Sequence, residues 1–175
     1  MIEPLTFAIA GAVMLWLGRG SGADVLPLLA PKYRSERNDR MVGIIQTEFA
    51  KHGLGATAIA AAVANAYAES GLNPLASGDG GHSIGLFQLN DWGAGHGLSV
   101  AYRQDPTNNA RTILSREVLA SAGKTLRARA AAGAGVGELA AIFARDIERP
   151  ADKAGAMASR ASLAEAMFPA LVKGA

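Results

Sequence analysis

The chain has no cysteine, which excludes disulfide scaffolds, thiolate zinc sites and cysteine nucleophiles. Charge is scarce too. Only 18% of the 175 residues are Asp, Glu, Lys or Arg, and 17 basic groups against 15 acidic ones leave a net charge of +2. So small a surplus forms no basic tract, and nucleic acid is not an expected partner. Long hydrophobic runs are missing apart from residues 5–17, LTFAIAGAVMLWL. As a helix that run spans about 20 Å, short of the ~30 Å hydrocarbon core of a bilayer. Glu3 is the only charge ahead of it, so the basic leader of a secretory signal is absent. Three readings stay open for this N-terminal hydrophobic helix: a short membrane anchor, a helix buried against partner subunits, or an uncleaved export signal. Residues 18–31, rich in Gly and Pro, read as a linker.

What the chain does have is apolar content. Half of it is hydrophobic, enough for one domain over residues 32–175 with a single core, and too much for disorder. Roughly one residue in five is Ala, which favours helix and lets helices approach closely. With 21 Gly as well, long and sharply turned loops are expected.

Helical spacing starts with Met41, Ile44, Ile45 and Phe49, with Asn38 or Asp39 as N-cap and Gly53 as the stop. A second helix begins near Thr57 and halts at Ser70-Gly71, with Ile59, Val63, Ala66 and Tyr67 on one face. Residues 71–97 are Gly-, Ser- and Asn-rich and read as loops with at most a small β element. Helix resumes after Asp105-Pro106, carrying Ile113, Leu114, Val118 and Leu119. A break at Gly133 to Gly137 leads to the stripe Val136, Leu139, Ala140, Phe143 and Ile147, stopped at Arg149-Pro150, and a last helix covers 153–167. No internal repeat is visible. The expected fold is mainly α, of the α+β kind: two helical lobes with a small loop/β insert lining the cleft between them.

The chemistry-bearing stretch is residues 66–90, AYAESGLNPLASGDGGHSIGLFQLN. Glu69 ends a nearly apolar helix, where apolar neighbours and the partial negative charge of the helix C-terminus both oppose its ionised form. Both effects raise a carboxyl toward the range of a general acid. Judged alone, a solvated helix-end Glu is the commoner case. Asp79, in SGDGGHS, reads either as a turn residue or as a second carboxylate. Asp91 reads either as a cap at the end of GLFQLN or, less readily, as that second carboxylate. His82 and His96 have no ligand partners at metal spacing, so no metal and no cofactor is expected. Trp92 and Tyr102 either offer exposed faces for stacking a ligand or plug the core. GAGVG at 133–137 lacks the Lys-Ser/Thr of a phosphate loop. Lys124, Arg127 and Arg129 are either a solvated face or an attraction for an anionic partner.

ESGLNP followed by GLFQLN resembles the goose-type lysozyme and lytic transglycosylase family of the lysozyme-like superfamily, over about residues 57–114. The resemblance puts Glu69 at the catalytic-acid position with Ser70 beside it. It puts Asn73-Pro74 at the turn after the helix, and Ser83, Gly85, Leu86, Phe87 and Gln88 on the run lining the glycan cleft. Asp105, Pro106 and Asn109 match its Asp-Pro-x-x-Asn start of the following helix. The family's Ala-Tyr-Asn-x-Gly stretch is absent. In its place stands ELAAIFARDIERP, which looks more like the phage-tail lysozyme branch.

The resemblance implies a peptidoglycan-cleaving glycosidase acting on the β-1,4 bond between N-acetylmuramic acid and N-acetylglucosamine, as a lytic transglycosylase or a muramidase. It implies carriage on a phage virion, action in the host cell wall to aid genome passage, and attachment to other virion proteins or a membrane through residues 5–17. Substrate contacts are expected from Ser70, Ser83, Phe87, Gln88 and Asn90. Two competitors stay open: a non-catalytic lysozyme-like module that binds glycan or fills a virion structure, and a membrane-active protein worked by its leader helix.

Overall fold

The computed structural model describes residues 26–172. The expected hydrophobic helix at 5–17 and most of the expected linker lie outside the described residues. The linker's last residues pack on the domain. Leu26 and Leu29 are buried in the core, and the Ala30 N–H donates to the Met167 carbonyl at 2.8 Å. Among the described residues, no helix is long and apolar enough to cross a membrane.

The described chain runs α1 (Glu36–Ala50), α2 (Ala56–Ser70), β1 (Ser77–Gly78), β2 (Ser83–Ile84), β3 (Leu89–Asn90), α3 (Val100–Gln104), α4 (Pro106–Ile113), α5 (Lys124–Ala131), α6 (Val136–Phe143) and α7 (Lys153–Met167). The N-cap of α1 is Ser35, not Asn38 or Asp39: its side chain accepts from the Asn38 N–H at 3.1 Å. Asn38 is occupied otherwise, buried with its amide donating to the Tyr33 carbonyl at 2.8 Å. Ser in extended backbone is the better first cap because its oxygen reaches the free N–H groups of the first turn.

α2 is the axis of the domain. Every residue from Ala58 to Ala66 is buried, as expected of a helix apolar on all sides. It packs against α1, α5, α6 and α7, and its Ala side chains leave room for all of them. Gly71, at φ 61°, ends it in the left-handed conformation, donating its N–H to the Tyr67 carbonyl at 2.7 Å.

The loop-rich stretch after α2 holds the antiparallel sheet β1-β2-β3, with Ser77 opposite Ile84 and Ser83 opposite Asn90. Strands of two residues do not hold themselves together. Two buried side chains fasten them. Arg103 donates from Nη1 to the carbonyls of His82 (2.7 Å) and Leu89 (2.9 Å). Asn109 donates to the carbonyls of Ile84 (3.1 Å) and Arg103 (2.7 Å), and accepts from the Phe87 N–H (3.0 Å). Asp105 caps α4 by accepting from the Asn108 N–H at 2.8 Å, and Pro106 occupies its first turn, so the Asp-Pro-x-x-Asn spacing turns Asn109 inward. Gly85, at φ 85°, has no room for a Cβ, which would strike the Asn109 amide and the Arg103 carbonyl.

Downstream, α4 runs into a π-helical turn, Leu114–Val118, and α6 into another, Ala144–Glu148. The break before α6 is narrower than expected: Gly135 is the N-cap and Gly137 already lies in the helix. All five residues of the expected stripe from Val136 to Ile147 are buried. Arg149 adopts φ 56° and, with Pro150 behind it, stops the helix. α6 and α7 pack on each other and on α2.

Candidate active site

Glu69 sits in the last turn of α2, and the helix end is pinned. Ser70 Oγ reaches both the Ala66 carbonyl in its own helix and the Leu86 carbonyl in the β2–β3 turn, each at 2.9 Å. One hydroxyl proton shared between two carbonyls ties the sheet to the helix that carries the acid.

The Glu69 side chain is 26% exposed and accepts from Arg160 Nη2 at 2.6 Å. The same Nη2 lies 3.3 Å from Glu148 Oε2. Three helical segments thus converge: the end of α2, the π-turn after α6, and the middle of α7. Glu148 is only 10% exposed, and neither of its oxygens has a hydrogen bond. At 3.3 Å the guanidinium is a charge neighbour of Glu148, while its Nη2 hydrogen-bonds Glu69. Burial, reinforced by the negative charge of Glu69, pushes the Glu148 carboxyl up to about 8 against the opposing pull of Arg160. Glu69 faces a guanidinium, and the carboxyl raised by burial is Glu148 behind it.

Of the other expected site residues, three join in a chain across the sheet. Asn90 Nδ2 donates to Ser83 Oγ at 3.1 Å, and Ser83 Oγ donates to Asp79 Oδ2 at 2.5 Å. Asp79 is exposed at the β1–β2 turn with φ 50°. Gln88 is turned into the sheet, its Nε2 donating to the carbonyls of Gly85 (2.9 Å) and Ala76 (3.3 Å). Phe87 does not line a cleft wall. Its ring is 6% exposed and stacks between Phe49 and Phe143, at centroid distances of 6.2 and 6.0 Å. The reason is register: Asn109 captures the Phe87 N–H and turns its side chain into the core.

Asp91 pairs with His82, carboxylate to Nδ1 at 3.1 Å, and the His82 ring stacks on Trp92 at 4.1 Å. Trp92 is 75% exposed and Tyr102 40%, so neither plugs the core. Of the basic cluster on α5, Arg127 is spent on the Val118 and Ala120 carbonyls and Arg129 on Glu138 at 2.6 Å. No group of three or more His, Cys, Asp or Glu side chains suited to a metal occurs among the described residues. A hollow of about 300 Å³ lined by His52, Leu54, Thr57, Arg127 and Ala131 lies at the other end of α2, about 20 Å from Glu69.

No motif in the sequence gives a role to Arg160 or Glu148. Glu148 left a trace, because it continues the four-residue spacing of Ala140 and Ala144, both fully buried, and a carboxylate on a buried face needs a partner. Arg160 stands alone as a cation in the interior of the Ala-rich α7.

Residues 41–171, which carry Glu69, Glu148, Arg160 and the whole sheet, match the family model described as phage tail lysozyme. No curated protein and no solved structure matches the chain.

Proposed function

The chain belongs to the phage tail lysozyme family, and from that premise we propose that it is a peptidoglycan-cleaving glycosidase in which Glu69 is the proton donor. Membership of that family suggests glycosidase activity, peptidoglycan as the substrate and association with a virion. The observation that carries the assignment of Glu69 is its placement. It is a carboxyl at the pinned end of the central helix, open to solvent on one side and backed on the other by the Arg160–Glu148 pair.

In this reading Glu69 protonates the glycosidic oxygen between N-acetylmuramic acid and N-acetylglucosamine as oxocarbenium character builds on the sugar ring. Charge development at C1 is the costly part of the reaction, and a well-placed proton contributes about 10²–10⁴-fold in rate. Trp92, exposed and braced by His82, offers a flat face for a sugar. The second step goes by attack of the sugar's own C6 hydroxyl or by water. For the water route the proposed base is Asp79, exposed and held by Ser83. On the virion the enzyme opens the wall for genome passage, with residues 1–31 as its attachment.

The test is Glu69→Gln assayed on purified peptidoglycan. Release of fragments should fall about 10²–10⁴-fold with an unchanged circular dichroism spectrum, and cleavage at the wild-type rate overturns the assignment. Mass spectrometry of wild-type products separates the two routes: anhydro ends report the C6 hydroxyl, reducing ends report water. Asp79→Asn should reduce activity only if reducing ends form.

A further inference from the structure

Glu148 is the most buried of the three charged side chains, and its oxygens lack a hydrogen-bond donor. A buried carboxylate without donors is costly. One guanidinium cannot neutralise two carboxylates, and its Nη2 lies closer to Glu69. A proton on Glu148 solves both problems, since it removes the second negative charge and makes the group a donor, with Glu69 as the acceptor beside it. Two oxygens that share one nitrogen at 2.6 and 3.3 Å lie within about 6 Å of each other.

We propose that Glu148 is a positioning residue that stores the proton Glu69 delivers, the two carboxyl groups holding one proton between them across Arg160. This inference rests on Glu69 as the proton donor. At rest the proton is on Glu148 and Glu69 is paired with Arg160. The Glu148 O–H then passes its proton to Glu69, and the charge of Arg160 compensates the new carboxylate on Glu148. Glu69 gives the proton to the glycosidic oxygen as the C1–O bond breaks, its electron pair leaving with the oxygen. On the C6 route the incoming hydroxyl bonds to C1 and returns its proton to Glu69 and thence to Glu148, whereas on the water route Asp79 takes the proton of the attacking water and the pair regains its own from solvent. One proton leaves the pair and one comes back, and nothing is oxidised or reduced.

The surroundings suit such a store. Among the described residues, the charges acting on Glu148 are Glu69 from α2 and Arg160 from α7. On its own segment Arg145 is paired with Asp146 at 2.7 Å, Lys153 at the start of α7 acts on Asp146, and Arg149 is paired with Glu117 at 3.0 Å.

Rate–pH profiles of the wild type, Glu148→Gln and Glu69→Gln on purified peptidoglycan test the proposal. Glu148→Gln should lower kcat/KM at pH 7 about tenfold or more, and its basic limb should move about one unit or more toward acid. Activity should recover below pH 5 and KM should stay unchanged. A wild-type profile, or a loss equal at every pH, overturns the store while a dead Glu69→Gln keeps the proton donor. An active Glu69→Gln overturns the donor itself. Should Glu148→Gln fail to fold, ¹³C-carboxyl NMR of Glu-labelled wild type decides. One glutamate should titrate near pH 8, and in Glu69→Gln that midpoint should fall because the neighbouring negative charge is gone. If every glutamate titrates below pH 5, the proposal is wrong.

Discussion

Two glutamates in this domain are almost equally buried, and their carboxyls shift in opposite directions. Glu48 on α1 is 7% exposed and meets two cations, Arg111 of α4 and Lys51, both at 2.8 Å. Their hydrogen bonds and charges outweigh burial and hold its carboxyl below the ordinary range, the Arg111 hydrogen bond most of all. Glu148 is 10% exposed and shares one cation with a second carboxylate, so burial wins and its carboxyl rises. Burial alone therefore does not decide protonation. Where two cations serve one carboxylate they override burial, and where one cation serves two carboxylates burial prevails.

The strongest way to break this contrast is Arg160→Leu, which leaves two carboxyls facing each other without a cation. Urea denaturation should show a loss of about 3–5 kcal/mol at pH 8, and a smaller loss at pH 5, where both groups can be neutral. Equal losses at the two pH values would refute the shared-cation account. Next comes Glu148→Gln. Folded protein holds a proton on Glu148 up to about 8, whereas the unfolded chain releases it near 4.5. Wild-type stability should therefore fall as pH rises through that window, whereas an amide has nothing to titrate. The stability of Glu148→Gln relative to wild type should grow by about 4 kcal/mol between pH 4.5 and 8. No growth means that Glu148 is ionised in the fold.

The smallest effect sharpens the other side. The carboxyl of Glu48 is held low, so its contribution is present above 4.5 and is lost as pH falls below that value. Glu48→Gln should cost about 1–2 kcal/mol at pH 7 and progressively less toward pH 3. A cost that grows in acid contradicts the pairing.

How much of this was legible beforehand follows physical lines. α2 was readable from its run of Ala and its Gly stop, and α7 from 153 to 167 coincided with the expected span. Asp105 and Pro106 announced α4, and their spacing to Asn109 carried the fastening of the sheet. The strands were not separable, because two residues are too short to show an alternating period. Phe87 misled because an aromatic beside a polar run looks the same whether it faces a cleft or the core, and only the long-range bond from Asn109 decides. Arg160 was invisible as a partner because it meets Glu69 across 91 residues of chain, a pairing no local pattern encodes.

The alanines of α2 have a further effect on reach. Helix axes settle 8–10 Å apart according to the side chains between them, and the small buried alanines of α2 favour a short spacing. A guanidinium from one neighbour and a carboxyl from another can then meet at the tip of this helix on a single nitrogen. Exchange Ala62 or Ala64 for leucine, even far from that tip, and the spacing opens. The three charged groups would then lose their common point before the fold itself gave way.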